Sequence, residues 1–451
     1  MSKSTKKRIR PNRISVFPIL NPNAAGIDVS DKEMMVCVPG DRCDEPIQLF
    51  ETFTTDLHAI ARHLESCRID TVAMESTGVY WVPLFLVLQD YGFDVYLVNA
   101  KHVKNVTGRK DDEEDAAWIQ RLHSCGLLNR SFQPDNDTRR LRSLVRHRKN
   151  LINSQSKHVN RLEKTMELMN IKLHTVISDI LGKSGMSILD AIINKRERDA
   201  QVLSQLADPR IQADRETIIK SLEADWREEH LFELQQYYEL YNVYQQKIKE
   251  LDAEIEKALL CISGSDAVGQ TDVKAMVKKS RKLKKNEYSF DASYYLHYIT
   301  GVNPTEIFGI GDTIALEIFS EIGSDMSRFS SSKHFCAWLG LSPNTKISGG
   351  KVISSKLMKK NQNAGQAFRM AANSVWRSKN ELGNFYRRIK SRSGPRVATV
   401  ATARKMATIY YMMMVKKEAF NPQALNEYQK CYKEKKIRRL ENQLAKLRAA
   451  S

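Results

Sequence analysis

Ala24-Ala25-Gly26-Ile27-Asp28-Val29 is a short apolar run with one acid inside it, and it reads as a β-strand. Glu33 to Val38 reads as a second strand and Ile47 to Phe53 as a third. Thr55 is placed to N-cap a helix that carries Leu57, Ile60, Ala61 and Leu64 on one face. A strand (Ile69 to Met74), a helix (about Val79 to Leu88) and a strand (Val95 to Val98) follow. Three hairpin-like strands, then alternating helices and strands, is the order of an RNase H-like fold. The sequence therefore predicts an α/β domain over residues 22–135.

The acids of this domain carry its chemistry. Asp28 places a charge inside an apolar strand. A buried, unpaired carboxylate is costly, so it needs a partner, a metal or a strand-end position. Glu75 precedes Ser76-Thr77-Gly78, where a strand gives way to a loop. Asp112 and Asp115 stand three apart where a helix, Asp112 to His123, should begin, which puts both on one helical face. Singly each is a weak signal, since an acid at a helix start ordinarily only complements the helix dipole. In this order on this fold, the four resemble a site that holds two divalent ions about 4 Å apart and polarises a phosphodiester. Residues 111 to 115 are all acidic, so spacing alone leaves a register of Asp111 and Glu114 open.

Beyond residue 136 the period changes. Leu141, Val145, Arg148, Ile152, Gln155, Val159, Leu162, Met166 and Met169 step alternately by four and three, a coiled-coil seam. A second long helix, about Glu228 to Leu260, has Leu231, Leu234, Tyr238, Tyr241, Ile248, Leu251 and Ile255 on its seam. The two helices of this 136–262 stalk either pair antiparallel or dimerise. Arg139, Arg140, Arg142, Arg146, Arg148 and Lys149 are enough to line a nucleic-acid path. Residues 263–295 are polar, seven of the twelve from Lys274 to Lys285 are basic, and they read as a linker. A helical domain is expected over 296–420. A tail over 421–451 carries Ile437, Leu440, Leu444 and Leu447 at zipper spacing.

Charge is concentrated in that last domain. Met326 to Lys417 holds nineteen Lys or Arg and one acid, Glu381, a balance equal to the whole chain's formal +18. A basic face of this size suits a polyanion. Within it lies Lys346-Ile347-Ser348-Gly349-Gly350-Lys351, a serine between lysines on a glycine turn, suited to a phosphate. From charge alone, a solvated face with an ordinary turn is an equal reading. Phe308-Gly309-Ile310-Gly311-Asp312-Thr313-Ile314-Ala315 has the form of a helix-hairpin-helix turn, whose glycines let backbone amides approach a DNA phosphate. Lys359, Lys360 and Arg396 extend the basic set.

The remaining composition narrows the class. No run of about 18 apolar residues exists to span a bilayer. Residues 1–21 are basic without an apolar h-region, and they read as a disordered arm rather than a secretory signal. Seven scattered cysteines, never spaced CxxC, argue for free thiols in a reducing compartment and against zinc. A cytoplasmic, nucleoid-associated protein is expected.

Taken together, these motifs resemble the DEDD-type insertion-sequence transposases, the bridge-RNA-guided recombinases of mobile elements. The resemblance covers most of the chain, from about Pro22 to Phe420. Its N-terminal carriers are Ala25 to Ser30, Ala73 to Trp81, Val98 to Lys104, Gly108-Arg109-Lys110 and Asp112 to Asp115. Its C-terminal carriers are Gly309-Ile310-Gly311, Gly340-Leu341-Ser342-Pro343, Ser348 to Lys351, and Arg396 to Met406.

The family implies a Holliday-junction-resolvase-like domain with four acids, matching Asp28, Glu75, Asp112 and Asp115. It implies a C-terminal transposase domain whose serine attacks DNA, matching Ser348, and a coiled coil between the two. It also implies a non-coding guide RNA that pairs with donor and target DNA, and a homo-oligomer built as a dimer of dimers. One departure is Asp111, which stands where the family usually has a small hydroxyl residue.

The resulting expectation is an RNA-guided DNA recombinase that uses Mg²⁺ (or Mn²⁺) and a covalent phosphoserine. Gly309, Gly311, Lys346, Gly349, Lys351, Lys359, Lys360 and Arg396 are expected to bind nucleic acid. Ser348 has no acid or histidine within ten residues, so its activation must come from elsewhere in the fold. Two rivals remain. One is a metal-dependent DNA nuclease or resolvase without a covalent serine intermediate, and the other is a non-catalytic nucleic-acid scaffold.

Overall fold

A computed structural model of the chain describes residues 18–99, 112–264, 285–357, 362–423, 437–438 and 441. Expectations resting on 1–17, on 100–111 (Asp111 included), on 265–284, on Lys359 and Lys360, and on Leu440, Leu444 and Leu447 lie outside the described residues. The chain divides into two compact units, Met1–Gln133 and Pro134–Ser451.

In the first unit, β1 (Ala24–Val29), β2 (Glu33–Cys37), β3 (Ile47–Glu51), β4 (Thr71–Glu75) and β5 (Asp94–Val98) form one sheet in the order β3-β2-β1-β4-β5. The first three strands pair antiparallel, and β1–β4 and β4–β5 pair parallel. This is the mixed sheet the sequence predicts. Its faces separate by the period of two. Ala25, Ile27, Val29, Val72, Met74, Val95 and Leu97 bury against α1 (Thr54–Ser66) and α2 (Trp81–Asp90). Ala73 and Val98 face the other way, onto Ile119 and Leu122 of α3 (Asp112–Ser124). Burying an aliphatic side chain of this size contributes about 1.5–3 kcal/mol. Thr55 is not the N-cap of α1. β3 ends two residues earlier than expected, the chain turns at once, and Phe53 takes that position without a side-chain cap bond.

In the second unit, α4 (Asn136–Leu168) and α8 (Glu228–Ile262) lie antiparallel against each other. Arg148 of α4 meets Asp252 of α8, and Thr165 meets Glu233. Between them the chain forms α5 (Lys183–Ile193), α6 (Ala200–Ser204) and α7 (Arg215–Leu222). Ile188, Leu189, Ile192, Leu203, Ile218 and Leu222 bury there with Leu162, Met166 and Leu234 of the long pair. The rest of the unit is α9 (Ala292–Thr300), α10 (Asp312–Ile322), α11 (Ser332–Trp338), β6 (Lys346–Ser348), β7 (Lys351–Ser354), α12 (Asn363–Ser374) and α13 (Glu381–Lys416). α13 breaks at Gly394 (φ 81°), and Pro395 begins its second segment, where a missing amide costs nothing. The helical expectation for 296–420 therefore misses one β-hairpin.

The basic residues of α4 are corrected by the structure. Arg142 and Arg146 converge on Glu321 of α10, with side-chain contacts of 3.3 and 2.7 Å. Lys149 pairs with Glu317 at 2.9 Å. Arg148 is buried, pairs with Asp252 at 2.5 Å, donates to the carbonyls of Asn286 and Glu287, and lies 3.9 Å from the Tyr288 ring centroid. Four of the six cations assigned to a nucleic-acid path thus fasten helices of this unit to one another. Burial lowers Arg142 to about 10, with the neighbouring Glu321 pulling the other way.

Candidate active site

The acid edge is set by a glycine. A Cβ at Gly26 would lie 2.4 Å from the Ala116 carbonyl oxygen and 2.2 Å from the Gln120 amide. Only glycine lets α3 approach β1 this closely. Gln120 Nε2 then donates to the Ala24 carbonyl (3.2 Å). At the far end of α3, His123 stands 2.8 Å from the Thr71 hydroxyl, which itself donates to the Asp94 carbonyl (2.9 Å). That hydroxyl's proton is therefore occupied, so His123 Nε2 is the donor. His123 is 1% exposed, and burial pushes it down to about 4. It is a neutral anchor.

These contacts order α3 along the sheet. Residues 120 and 123 sit over the strand starts, at Ala24 and Thr71, and Ala116 sits over Gly26. The N-terminal turn of α3, with Asp112 and Asp115, therefore points to the C-terminal ends of β1 and β4. Asp28 and Glu75 each follow the paired positions Ile27 and Met74 by one residue. They share the face that α3 covers, on strands about 4.8 Å apart. Both are half-buried. Thr77 Oγ1 donates to Glu75 Oε1 at 3.3 Å.

Helical period bears on the register. Ala116 and Ile119 are fully buried against the sheet, whereas Ala117 and Trp118 are only half-buried. Stepping back one turn from the buried pair gives 112 and 115, while Asp111 of the alternative register lies outside the described residues. The Asp112 backbone begins α3, but its side chain lies outside the described residues. Among the described residues no three His, Cys, Asp or Glu side chains close into a metal-holding set. The donor chemistry at this edge is carboxylate oxygen, which fits a hard divalent cation.

Ser348 ends β6, and Gly349 (φ +54°) and Gly350 (φ +75°) connect it to β7. Two consecutive positive φ values define the hairpin turn that asparagine and glycine dominate. Lys346, Ser348, Gly349 and Lys351 are all exposed. By contrast the Ser342 Oγ is buried. Gly309 is explained by packing, since a Cβ there would meet Val375 Cγ1 at 2.5 Å and the Ala371 carbonyl at 2.8 Å. Gly311 caps α10 and opens on free space. Arg396 is exposed just past the Gly394 break.

Sequence reasoning missed Gly26, Gln120 and His123, which seat α3. A glycine inside an apolar strand was the available signal.

Two family profiles match the chain. One, described as a transposase, covers residues 25–171 and contains all four acids; the other, described as transposase IS116/IS110/IS902 family, covers residues 305–387 and contains Ser348. Among curated proteins, none matches. The chain belongs to the DEDD-type insertion-sequence transposases, which are enzymes that act on DNA. No described helix is long and apolar enough to cross a membrane.

Proposed function

We propose that this transposase is an RNA-guided recombinase that cuts and exchanges DNA strands through a phosphoserine at Ser348. The observation that carries the reading is the meeting of Asp28 and Glu75 on one sheet face, at the strand ends to which the Asp112–Asp115 turn points. Asp28, Glu75, Asp112 and Asp115 would hold Mg²⁺ or Mn²⁺. A divalent cation there supplies positive charge against the negative charge that builds on a phosphate in the transition state.

The chain's own groups do the rest. The exposed Ser348 hydroxyl loses its proton, its oxygen bonds to the scissile phosphorus, and the bond to the departing deoxyribose oxygen breaks. The departing oxygen takes up a proton. The joining step reverses this with the hydroxyl of the other strand, so no high-energy cofactor is consumed. Lys346 and Lys351 flank the serine and attract the phosphate. The basic residues between Met326 and Lys417 hold donor and target DNA and a non-coding guide RNA. The assembly is a homo-oligomer, a dimer of dimers, and the protein works in the nucleoid.

Cleavage assays on Asp28→Asn and Glu75→Gln test the reading. Strand cleavage is lost in both while nucleic-acid binding is kept. Wild-type cleavage rates in Asp28→Asn at saturating Mg²⁺ would contradict it.

A further inference from the structure

Trp376 follows α12 and is 38% exposed, the one tryptophan of five among the exposed large apolar side chains. The turn that presents it is held from below. One Arg387 nitrogen donates to the Trp376 carbonyl (2.7 Å) and the Ser378 carbonyl (2.8 Å), and the other donates to Asn384 Oδ1 (2.7 Å). Asn380 caps α13 by accepting from the Gly383 amide at 2.9 Å. Val375, the preceding residue, is 1% exposed. The indole is therefore displayed on a fixed turn.

Two cations lie over the ring. The Arg377 guanidinium carbon is 4.6 Å from the ring centroid and Lys390 Nζ is 4.9 Å. Glu381 is the one acid between Met326 and Lys417. A partly exposed aromatic ring with two cations over it matches a nucleotide, whose base takes the cations' place on the ring while its phosphates take up their charge.

We propose that Trp376, Arg377 and Lys390 form a stacking platform for an unpaired base of RNA. This rests on the RNA-guided reading above. Duplex DNA keeps its bases inside the helix, whereas a folded guide RNA presents unpaired bases in its loops, where aromatic stacking recognises them. Arg377 and Lys390 then move from the ring to the flanking phosphates.

The test measures fluorescence anisotropy and tryptophan emission with an unstructured RNA of about 12 nucleotides. A duplex DNA of the same length is the second arm. Wild-type protein binds the RNA with quenching of tryptophan emission. Trp376→Ala loses that quenching and binds RNA about tenfold more weakly, while duplex affinity is kept. Trp376→Phe retains most of the RNA affinity. Arg377→Gln with Lys390→Gln lowers the salt slope of RNA binding by about 1.4, two phosphates at about 0.7 each.

RNA affinity and quenching unchanged in Trp376→Ala overturn this proposal alone. Equal losses of RNA and duplex binding in both Trp376→Ala and Trp376→Phe indicate a structural role and also overturn it. A wild-type protein that binds no RNA overturns the RNA-guided reading, and the platform with it.

Discussion

Helix α4 and the stretch from Arg377 to Lys405 look alike as sequence, since each is crowded with arginine and lysine. In the folded chain they differ. On α4, Arg142, Arg146, Arg148 and Lys149 meet Glu321, Asp252 and Glu317. From Arg377 to Lys405 there is one acid, Glu381, and cations lie over Trp376 and Phe385 instead. Local charge density does not identify a nucleic-acid face. What decides is whether distant segments return carboxylates to the same place. Where they do, the cations serve the fold. Where the cations lie over aromatic rings instead, as at Trp376, an external polyanion is the proposed counter-charge.

The comparison can be broken first at its most buried point. Arg148→Met leaves Asp252 as an uncompensated buried charge, and stability should fall by about 3–5 kcal/mol. Denaturant unfolding measures this. The double variant Arg148→Met, Asp252→Leu should recover much of the loss, and neither variant should change the salt dependence of DNA binding. A changed salt slope would return Arg148 to the nucleic-acid path.

His123 extends the contrast to a group that serves the fold by staying neutral. Its folded value of about 4 lies below the ordinary 6.5, so the unfolded chain binds the extra proton between those pH values. The stability it contributes is complete above pH 6.5 and is lost as pH falls toward 4. The loss is on the order of 2 kcal/mol. Thermal unfolding from pH 7 to pH 4.5 should show it, and His123→Gln should flatten that slope.

Glu321→Gln sharpens the comparison at a buried carboxylate. It weakens the hold on Arg142 and Arg146 and should cost about 1–3 kcal/mol. Unfolding midpoints measure the cost, and DNA affinity should hold or rise as two arginines are released. The smallest effect on stability belongs to Arg396→Gln. Exposed and past the Gly394 break, it should change stability by less than about 0.5 kcal/mol. It should nevertheless lower the salt slope for duplex DNA by about one. An unchanged slope would place Arg396 outside the interface.

Much of the sheet unit is legible in its sequence, because alternation by two separates one face of Ile27, Met74 and Leu97 from the other of Ala73 and Val98. Asp28 is legible for the same reason, as a charge in an apolar strand, and the other acids stand out only by their order along the chain. Their register was not legible, since five consecutive acids have no period of their own. Ala116 and Ile119 show which side of α3 is buried, information that a run of five acids does not hold. Arg148 is visible as an irregularity in an apolar seam, but its partner lies 104 residues away, beyond any local pattern. The β6–β7 hairpin carries a signal in Gly349-Gly350 between Ile347 and Val352-Ile353. Strands of three and four residues among long helices are easily taken for a loop.

The central claim is that Ser348 is the nucleophile, and covalent trapping tests it most directly. Wild-type protein is incubated with its DNA and Mg²⁺, denatured, digested, and its DNA-linked peptide identified by mass. The account predicts one adduct, at Ser348, absent in Ser348→Ala although that variant still binds DNA and RNA. An adduct that persists in Ser348→Ala and maps to Ser342, Ser354 or Ser355 would contradict it, as would cleavage by Ser348→Ala at the wild-type rate with no adduct formed.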